Sequence, residues 1–368
     1  MENCIIAKDK RGNLTYNRYF HYYQTEVCNK LAQRYSIHHS PTKKFTPSVA
    51  LFPSGMNAID SLFQVLMINN KWKSINIICG SELYCDTPRV IKYLMKYIDI
   101  NLIKINVIDS DKKIIEQISK NVKKDLLTLV YFESCSNPNG YIINYNLLWQ
   151  IKSILKKLRI ESKLIIDNTW LSSAILNPFK FDVDFVINSL TKYYGAGKSG
   201  IMGTILSRSR KFGKKIIDYG KIKGLHVCPL YCKELFKNLD TLDKRIKKSS
   251  ETTIKVVNYL NQKIQVSHPY LKNHPSYNLS MKYYNGLGPS VFTFKIKLTK
   301  IEALKWMKQS KFKCLTSFGS EESKFDQWPQ KTFIKNEEGS VCRFSVGYKN
   351  NSEDIIKEFD RLLSLLPK

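Results

Sequence analysis

The chain has 368 residues, of which 43% are hydrophobic, and it carries a formal net charge of +28 at pH 7. This length is too great for one small domain and suits two. No run of about 18 or more apolar residues occurs, so the sequence predicts no membrane-spanning helix. The first residues, 1–11, have neither a long apolar stretch nor a cleavage pattern, and we expect no signal peptide and a cytoplasmic location.

The positive charge is spread along the whole chain. Lysines occur in short groups, for example at 71–73, 120–124 and 244–248, and form no block of about five or six basic residues. A clustered patch would favour nucleic-acid binding, whereas a scattered excess is typical of a compositional drift toward Lys, Asn, Ile and Tyr. We therefore expect no nucleic-acid partner.

The nine cysteines are an odd number and are scattered along the chain. The closest pair, Cys228 and Cys232, has three residues between its members and no matching second pair. This spacing fits neither a zinc ribbon nor a redox pair. We predict mostly reduced, buried or partly buried thiols and no bound metal.

From residue 48 onward, short β-branched runs alternate with helical stretches. Strands are predicted at 49–52, 75–79, 102–107, 127–131, 164–166, 185–187 and 202–205. Helices are predicted at 54–67, 88–97, 114–122 and 145–158. This alternation is typical of an α/β domain with a mainly parallel sheet, in which ligands bind at the carboxyl ends of the strands.

The pattern changes after about residue 240. A long amphipathic helix is predicted at 242–262, followed by a polar loop, a strand at 291–296 and helices at 301–310 and 352–366. These elements indicate a smaller α+β domain. The predicted organisation is therefore an N-terminal arm at 1–45, a first domain at 46–240 and a second at 241–368.

Polar residues follow several of the predicted strands. The turn Ser54-Gly55-Met56 opens a helix, whose free N–H groups suit a phosphate, although Ser-Gly also serves turn geometry alone. Tyr84 follows the second strand and has an equally good explanation as a core residue. Glu133, Ser134 and Asn137 follow the fourth strand.

Two further strand ends carry charged groups. Asp167 follows an apolar run directly, where a carboxylate is costly without a cation, so it either caps a turn or pairs with a bound cation. Lys192 follows Ser189 and Thr191 and is either an amine nucleophile with a depressed pKa or a surface lysine. Each residue is ambiguous alone, but their order along the chain is informative.

The motifs Ser-Gly-Met, Leu-Tyr, Glu-Ser-x-Ser-Asn-Pro, Asp-Asn-Thr and Ser-x-Thr-Lys-Tyr follow one another on successive strand ends. In this order they resemble the Cys/Met-metabolism (trans-sulfuration) family of pyridoxal-phosphate (PLP) enzymes. Similar motifs continue at 238–245, 274–275, 317–323 and 343–347. The resemblance implies fold type I, the aspartate aminotransferase-like fold. This fold has a mainly parallel seven-stranded sheet with helices on both faces and a smaller C-terminal α+β domain.

The resemblance also assigns roles around pyridoxal 5′-phosphate. Lys192 would bind PLP covalently and later carry protons, and Asp167 would pair with the protonated pyridine nitrogen. Tyr84 would stack on the ring and act as an acid or base, and Asn137 would hydrogen-bond the phenolic oxygen. The remaining expected cofactor-binding residues on the strand ends are Ser54, Gly55, Met56, Thr169, Ser189 and Thr191.

Further roles fall on the substrate and on the neighbouring subunit. Arg343 and Ser317 would hold the α-carboxylate of an amino-acid substrate, because the planar fork of Arg binds a carboxylate bidentately. Tyr16 and Arg18 would reach the phosphate of a neighbouring subunit, in a homodimer or homotetramer with shared active sites. Tyr35-Ser36-Ile37 is a weaker match for this motif, because Ile37 stands where Arg is needed.

The implied reaction is γ-elimination or γ-replacement on sulfur amino acids or activated homoserine, as in cystathionine γ-synthase and γ-lyase. Alternatives are O-acylhomoserine sulfhydrylase, methionine γ-lyase and cystathionine β-lyase chemistry, or a catalytically altered relative that serves as a binding scaffold. Cys85 and Asp86 replace two family glycines beside Tyr84, and Thr316 stands where γ-enzymes commonly have Glu. These departures concern the reaction rather than the cofactor.

Overall fold

In this computed structural model the described residues are 6–8, 14–16, 21–38, 44–71 and 73–367, with only the backbone described for 6–8 and 14–16. The chain forms two compact units. The first comprises Met1–Ser136 and Ile143–Asp240, and the second Asn137–Ile142 and Thr241–Lys368. Within the described ranges, none of the helices combines the length and apolar character needed to cross a membrane.

The first unit alternates strands and helices along most of its length. Its strands are β1 Ile6–Lys8, β2 Leu14–Tyr16, β3 Ile37–His38, β4 Lys44–Phe45, β5 Ser48–Phe52, β6 Ile75–Gly80, β7 Ile100–Ile105, β8 Leu127–Glu133, β9 Ser162–Asp167, β10 Phe185–Ser189 and β11 Gly203–Ser207. Its helices are α1 Tyr22–Arg34, α2 Gly55–Asn69, α3 Thr87–Leu94, α4 Asp111–Asn121, α5 Tyr145–Lys157, α6 Ser172–Ile175, α7 Arg210–Ile222 and α8 Pro229–Leu239.

A seven-stranded sheet forms the centre of this unit, in the order β5-β11-β10-β9-β8-β6-β7. Strand β11 is antiparallel to both of its neighbours, and the other pairings in the sheet are parallel. All residues of β6 and β8 are buried, as expected for central strands that are covered on both faces. The prediction of an α/β fold with a mainly parallel sheet is therefore confirmed.

Helix α2 packs against the sheet, and both contribute residues to one hydrophobic core. Ser54 caps its first turn, because the Ser54 hydroxyl accepts a hydrogen bond from the Asn57 amide at 3.0 Å. Leu62 and Phe63 of α2 are buried in one cluster with Ile77 and Leu129 of the sheet. The cap fixes where the helix begins, and the cluster fixes its position against the strands.

Helix α1 is packed within the first unit rather than extended from it. Val27 and Leu31 are fully buried, and the Tyr35 hydroxyl that follows the helix lies 3.1 Å from Asn188 Oδ1 and 2.9 Å from the Tyr194 hydroxyl. The stretch predicted as an arm, 1–45, thus contains a helix integrated into this unit. The proposed contact of the preceding residues with a neighbouring subunit stays a prediction.

The second unit contains a mixed six-stranded sheet covered by helices. Its strands are β12 Gln265–Ser267, β13 Val291–Ile296, β14 Lys313–Cys314, β15 Lys324–Phe325, β16 Gln330–Ile334 and β17 Glu337–Ser345. Its helices are α9 Leu242–Leu260, α10 Tyr277–Tyr283, α11 Lys300–Met307 and α12 Ser352–Leu363. The core is rich in phenylalanine, with Phe292, Phe294, Phe325, Phe344 and Phe359 in mutual contact.

Candidate active site

The carboxyl ends of β5, β8, β9 and β10 lie at one edge of the seven-stranded sheet, because these four strands run in the same direction. Glu133 pairs in register with Asp167, and Asp167 pairs with Ile187. Lys192 lies in the turn just after β10, where its amide donates to the Ser189 carbonyl at 3.4 Å. The sheet therefore brings several of the predicted site residues to the same edge.

Asp167 is a buried carboxylate at the end of β9. It accepts hydrogen bonds from the Thr169 amide at 2.9 Å and from the Tyr131 hydroxyl at 3.2 Å. Burial raises the pKa of Asp167 above its ordinary value, and among the described residues no Lys or Arg forms an ion pair with it. Such a carboxylate is well suited to pair with a cation supplied by a ligand.

Tyr131 is an uncharged hydrogen-bond donor to Asp167. Burial first, and then the nearby carboxylates of Asp167 and Glu133, raise the pKa of Tyr131 well above its ordinary value. The phenol therefore keeps its proton at neutral pH and donates a hydrogen bond to Asp167. Sequence reasoning missed Tyr131, because its position inside a buried strand is equally typical of a core residue.

A chain of contacts links Asp167 to the start of α2. The Ser189 amide donates to Thr169 Oγ1 at 2.8 Å, and Thr169 in turn donates its amide to Asp167. A Cβ atom at Gly55 would lie only 3.0 Å from Ser189 Cβ and 3.4 Å from Ser189 Oγ. The absence of a side chain at Gly55 leaves the first turn of α2 beside the Ser189 hydroxyl, where helix amides attract an anion.

Two of the predicted cofactor-binding residues make other contacts in this structure. The Ser54 hydroxyl caps α2 through Asn57. The Thr191 hydroxyl bonds the backbone of Met202, accepting from its amide at 3.1 Å and lying 3.3 Å from its carbonyl oxygen. Ser54 and Thr191 thus shape the turns on either side of the candidate anion site, and their direct contact with a cofactor stays a prediction.

Tyr84 lies in the loop after β6 and is 38% exposed, which contradicts its interpretation as a buried core residue. Its amide donates to the carboxylate of Glu133, which is buried at the end of β8. In the same loop Glu82 accepts a hydrogen bond from Ser136 at 2.8 Å. Two carboxylates therefore anchor the loop that carries Tyr84. Sequence reasoning named Glu133 but missed Glu82.

The second unit carries the predicted substrate residues. Arg343 on β17 donates from Nη1 to the Asn137 side-chain oxygen at 3.2 Å and forms an ion pair from Nη2 with Asp326. Ser317 lies in a loop with a φ of 87°, in the left-handed region. The structure brings Arg343 together with Asn137 and adds Asp326, which sequence reasoning missed.

Two predicted residues fall where little or nothing is described. Arg18 lies outside the described residues. The backbone of Tyr16 ends β2, but its side chain lies outside them. The prediction that this pair binds a neighbouring subunit's phosphate is therefore unchanged.

The family model described as Cys/Met metabolism PLP-dependent enzyme matches residues 20–364. The chain belongs to this family. Membership confirms the resemblance carried by the strand-end motifs and with it the cofactor prediction, because PLP is the cofactor that defines the family.

Curated relatives have several activities. A cystathionine β-lyase of Schizosaccharomyces pombe is 25% identical over 67% of this chain and 61% of its own length. An L-methionine γ-lyase of Fusobacterium nucleatum is 25% identical over 84% of this chain and 78% of its own length. With the S. pombe enzyme and the chloroplastic cystathionine β-lyase of Arabidopsis thaliana, the match spans less than two thirds of the relative.

Solved structures share the fold. MetB from Corynebacterium glutamicum superposes with a TM-score of 0.80 and 19% identity, covering 99% of this chain and 91% of that one. A putative O-acetylhomoserine (thiol)-lyase from Campylobacter jejuni, which holds N′-pyridoxyl-lysine-5′-monophosphate, gives 0.75 and 23%, covering 95% and 88%. The expected fold type I architecture is thus confirmed.

The residues of the first unit fit PLP by their chemistry. The buried Asp167 would supply an anion for a protonated pyridine nitrogen, and the side-chain-free start of α2 beside Ser189 suits a phosphate. Lys192 supplies a primary amine one turn beyond β10. The groups that would meet the ring nitrogen, the phosphate and the aldehyde of PLP therefore all come from one edge of one sheet.

Proposed function

We propose that this protein is a PLP-dependent enzyme that eliminates or replaces the γ-substituent of sulfur amino acids or of activated homoserine. The observation that carries the proposal is the pair of hydrogen bonds that links Asp167, Thr169 and Ser189, together with the close approach of Gly55 at the start of α2 to Ser189 and with Lys192 in the next turn. This arrangement offers a counter-charge, an anion site and an amine in the order that the cofactor requires.

Lys192 has two roles in this proposal. Its amine would hold PLP, and with the substrate bound the same amine would take the proton from the substrate Cα. Bound PLP withdraws electrons from that carbon and makes the proton acidic. The backbone of Lys192 is held in the turn after β10 by the hydrogen bond from its amide to the Ser189 carbonyl.

Asp167 and Tyr84 support this proton transfer. Asp167 keeps the pyridine nitrogen protonated, since the buried carboxylate is stabilised by the positive charge. Tyr84 is 38% exposed, and Glu133 fixes its backbone; its phenol would stack on the ring and exchange a proton with the substrate. Both assignments are proposals on the family pattern.

Arg343 and Ser317 are proposed to bind the α-carboxylate of the substrate. Arg343 has the planar donor geometry that a carboxylate needs, and the amide of Asn137 orients its Nη1. The two carbon–sulfur cleavages that the family relatives perform differ in their products. With cystathionine and one water, γ-cleavage gives cysteine, 2-oxobutanoate and ammonia, whereas β-cleavage gives homocysteine, pyruvate and ammonia.

The test is to incubate the PLP-loaded protein with cystathionine, methionine, cysteine, and O-acylhomoserine plus cysteine, and to identify the products by mass spectrometry. We expect γ-type products. Pyruvate and homocysteine would contradict the γ-assignment and support β-lyase chemistry. A protein that takes up no PLP and gives no lysine adduct after borohydride reduction would contradict the whole proposal and support a binding scaffold.

Lys192→Ala is the first decisive variant. We expect it to abolish turnover and borohydride labelling, because the chain would lose both the covalent anchor and the proton acceptor. Lys211→Ala, which removes an exposed lysine on α7, is the matched control and is expected to keep full activity. Full turnover in Lys192→Ala would show that another residue carries the reaction.

Assembly and location are also proposed on the family pattern. We propose a homodimer or homotetramer in the cytoplasm, with Tyr16 and Arg18 of one subunit completing the phosphate site of the next. Light scattering of the purified protein would measure the assembly. A fully active monomer would contradict the shared site.

A further inference from the structure

The register of the second sheet places a carboxylate opposite Arg343. Strand β15 pairs antiparallel with β17, so that Phe325 lies opposite Phe344. The pairing continues one residue further, because the Asp326 amide donates to the Arg343 carbonyl at 2.9 Å. Since side chains alternate between the faces of a sheet, the two phenylalanines enter the core and Asp326 and Arg343 share the opposite face.

The contacts hold this ion pair in a defined position. Asp326 Oδ2 pairs with Arg343 Nη2, while Asp326 Oδ1 accepts from the Trp328 amide at 3.1 Å. The side chains are only 10% and 18% exposed, respectively. Arg343 Nη1 also donates to Asn137 at 3.2 Å. Both Nη atoms of the guanidinium are therefore already engaged with protein oxygens.

This pair changes what an incoming carboxylate meets. A lone Arg343 would present one positive charge, but together with Asp326 it forms a pair of zero net charge. A substrate carboxylate would either lie beside Asp326, which repels it, or displace Asp326 from Nη2. Both routes cost free energy, because like charges in a poorly solvated site repel strongly.

We propose that Asp326 is a specificity-determining residue, an internal carboxylate that competes with the substrate α-carboxylate for Arg343. The inference rests on the proposed function, in which Arg343 binds that group. It follows that the carboxylate contributes little net affinity here and that recognition depends more on the remainder of the substrate. A ligand without a carboxylate avoids the competition.

Asp326→Asn tests this with little change in shape. The amide oxygen can still accept from the Trp328 amide, but the negative charge is gone. Calorimetry on the PLP-loaded protein would compare L-norleucine, which has no leaving group, with pentylamine, its counterpart without a carboxylate. We expect the Kd of L-norleucine to fall about tenfold in the variant, and that of pentylamine to stay within about twofold.

Glu338→Gln is the matched control. Glu338 lies on β17, as Arg343 does, and forms an ion pair with Lys331 of the neighbouring strand β16, but both of these side chains are 41% or more exposed. We expect it to leave both Kd values unchanged. If Asp326→Asn does not fold, Asp326→Ser removes the same charge and keeps an oxygen acceptor for Trp328.

Three outcomes would contradict the inference. Equal or weaker L-norleucine binding in the variant would show that Asp326 does not compete with the substrate for Arg343, and the proposed function would stand. An equal gain for pentylamine would show that the effect does not involve the carboxylate. L-norleucine binding to neither protein would contradict both this inference and the proposed function.

Discussion

Asp167 has opposite effects on stability and on cofactor binding. It is buried at the end of β9, and its contacts within the described part of the chain are neutral donors, Thr169 and Tyr131. Its charge therefore destabilises the cofactor-free fold and stabilises a bound cation. A buried charge that reduces stability at such a position is typical of a functional site.

Asp167→Asn should separate these effects. We expect at least about a tenfold weaker affinity for PLP, because the cationic ring loses its counter-charge. The cofactor-free variant should melt a few degrees higher than the parent at pH 7, since a buried charge is removed. Absorbance titration with PLP and calorimetric melting measure the two effects. A lower melting temperature without PLP would contradict this account.

The stability that Asp167→Asn is expected to gain in the cofactor-free protein depends on pH, and the direction of this dependence follows from the pKa of Asp167. Burial raises the pKa of Asp167, so the folded chain keeps a proton that the unfolded chain releases, and stability falls as pH rises from the ordinary value of 3.8 through the raised one. The stability advantage of Asp167→Asn should therefore be full above the raised pKa and decrease as pH falls toward 3.8.

At the residue scale, the sequence predicted what depends on strand ends and missed what depends on register. Asp167 and Lys192 were predicted because parallel strands place their carboxyl ends at one edge. Asp326 was not, since its contact with Arg343 needs the pairing of β15 with β17, and a one-residue shift would place it on the other face. The hydrogen bonds of Thr191 with the Met202 backbone could not be predicted from the sequence either.

At the element scale, the start of α2 is positioned by β11. Gly203 pairs with Phe52 on one side and with Ser189 on the other. A Cβ atom at Gly203 would lie 2.2 Å from the Ser54 carbonyl oxygen and 2.7 Å from Gly55 Cα. The close approach of this strand to the first turn of α2 thus depends on glycine.

Gly203→Ala should displace the start of α2. We expect a loss of about 1–3 kcal/mol in the free energy of unfolding, and weaker PLP binding. Gly220→Ala on α7 is the control, because its Cβ would meet Phe52 at an ordinary 3.5 Å and a helical glycine is being replaced. Chemical denaturation measures the free energy of unfolding, and titration with PLP measures the affinity for the cofactor. Unchanged PLP affinity in Gly203→Ala would contradict the positioning role.

The sequence predicted the strands of the main sheet better than its helices. Hydrophobic β-branched runs identify β6 and β8 clearly, since these strands are buried throughout. Helix α7 was missed because lysine and glycine interrupt its apolar pattern, and helix α8 was missed as well. The antiparallel β11 was predicted as a strand, but its direction depends on tertiary pairing.

At the scale of the whole molecule, the charge of +28 is a source of repulsion. Many ion pairs are exposed, such as Lys297–Glu337 with side chains 48% and 60% exposed, and contribute little. Raising NaCl from about 0.01 M to about 0.1 M shortens the screening length from about 30 to about 10 Å.

We therefore expect the melting temperature to rise over this range of NaCl, because screening weakens repulsion between lysines more than it weakens the exposed pairs. Scanning calorimetry measures it, and choline chloride in place of NaCl controls for a specific effect of the sodium ion. A melting temperature that falls with salt would show that ion pairs outweigh the net repulsion.

The segment Asn137–Ile142 belongs to the second unit, although the first unit precedes and follows it in the chain. Its partners come much later in sequence, since the Asn139 carbonyl accepts from Ser267 and the Ile142 amide donates to Ser276. During synthesis on the ribosome, this segment emerges long before those partners do. A nascent chain ending at Asp240 would leave it unpaired, so the second unit is completed only when translation of the C-terminal region is well advanced.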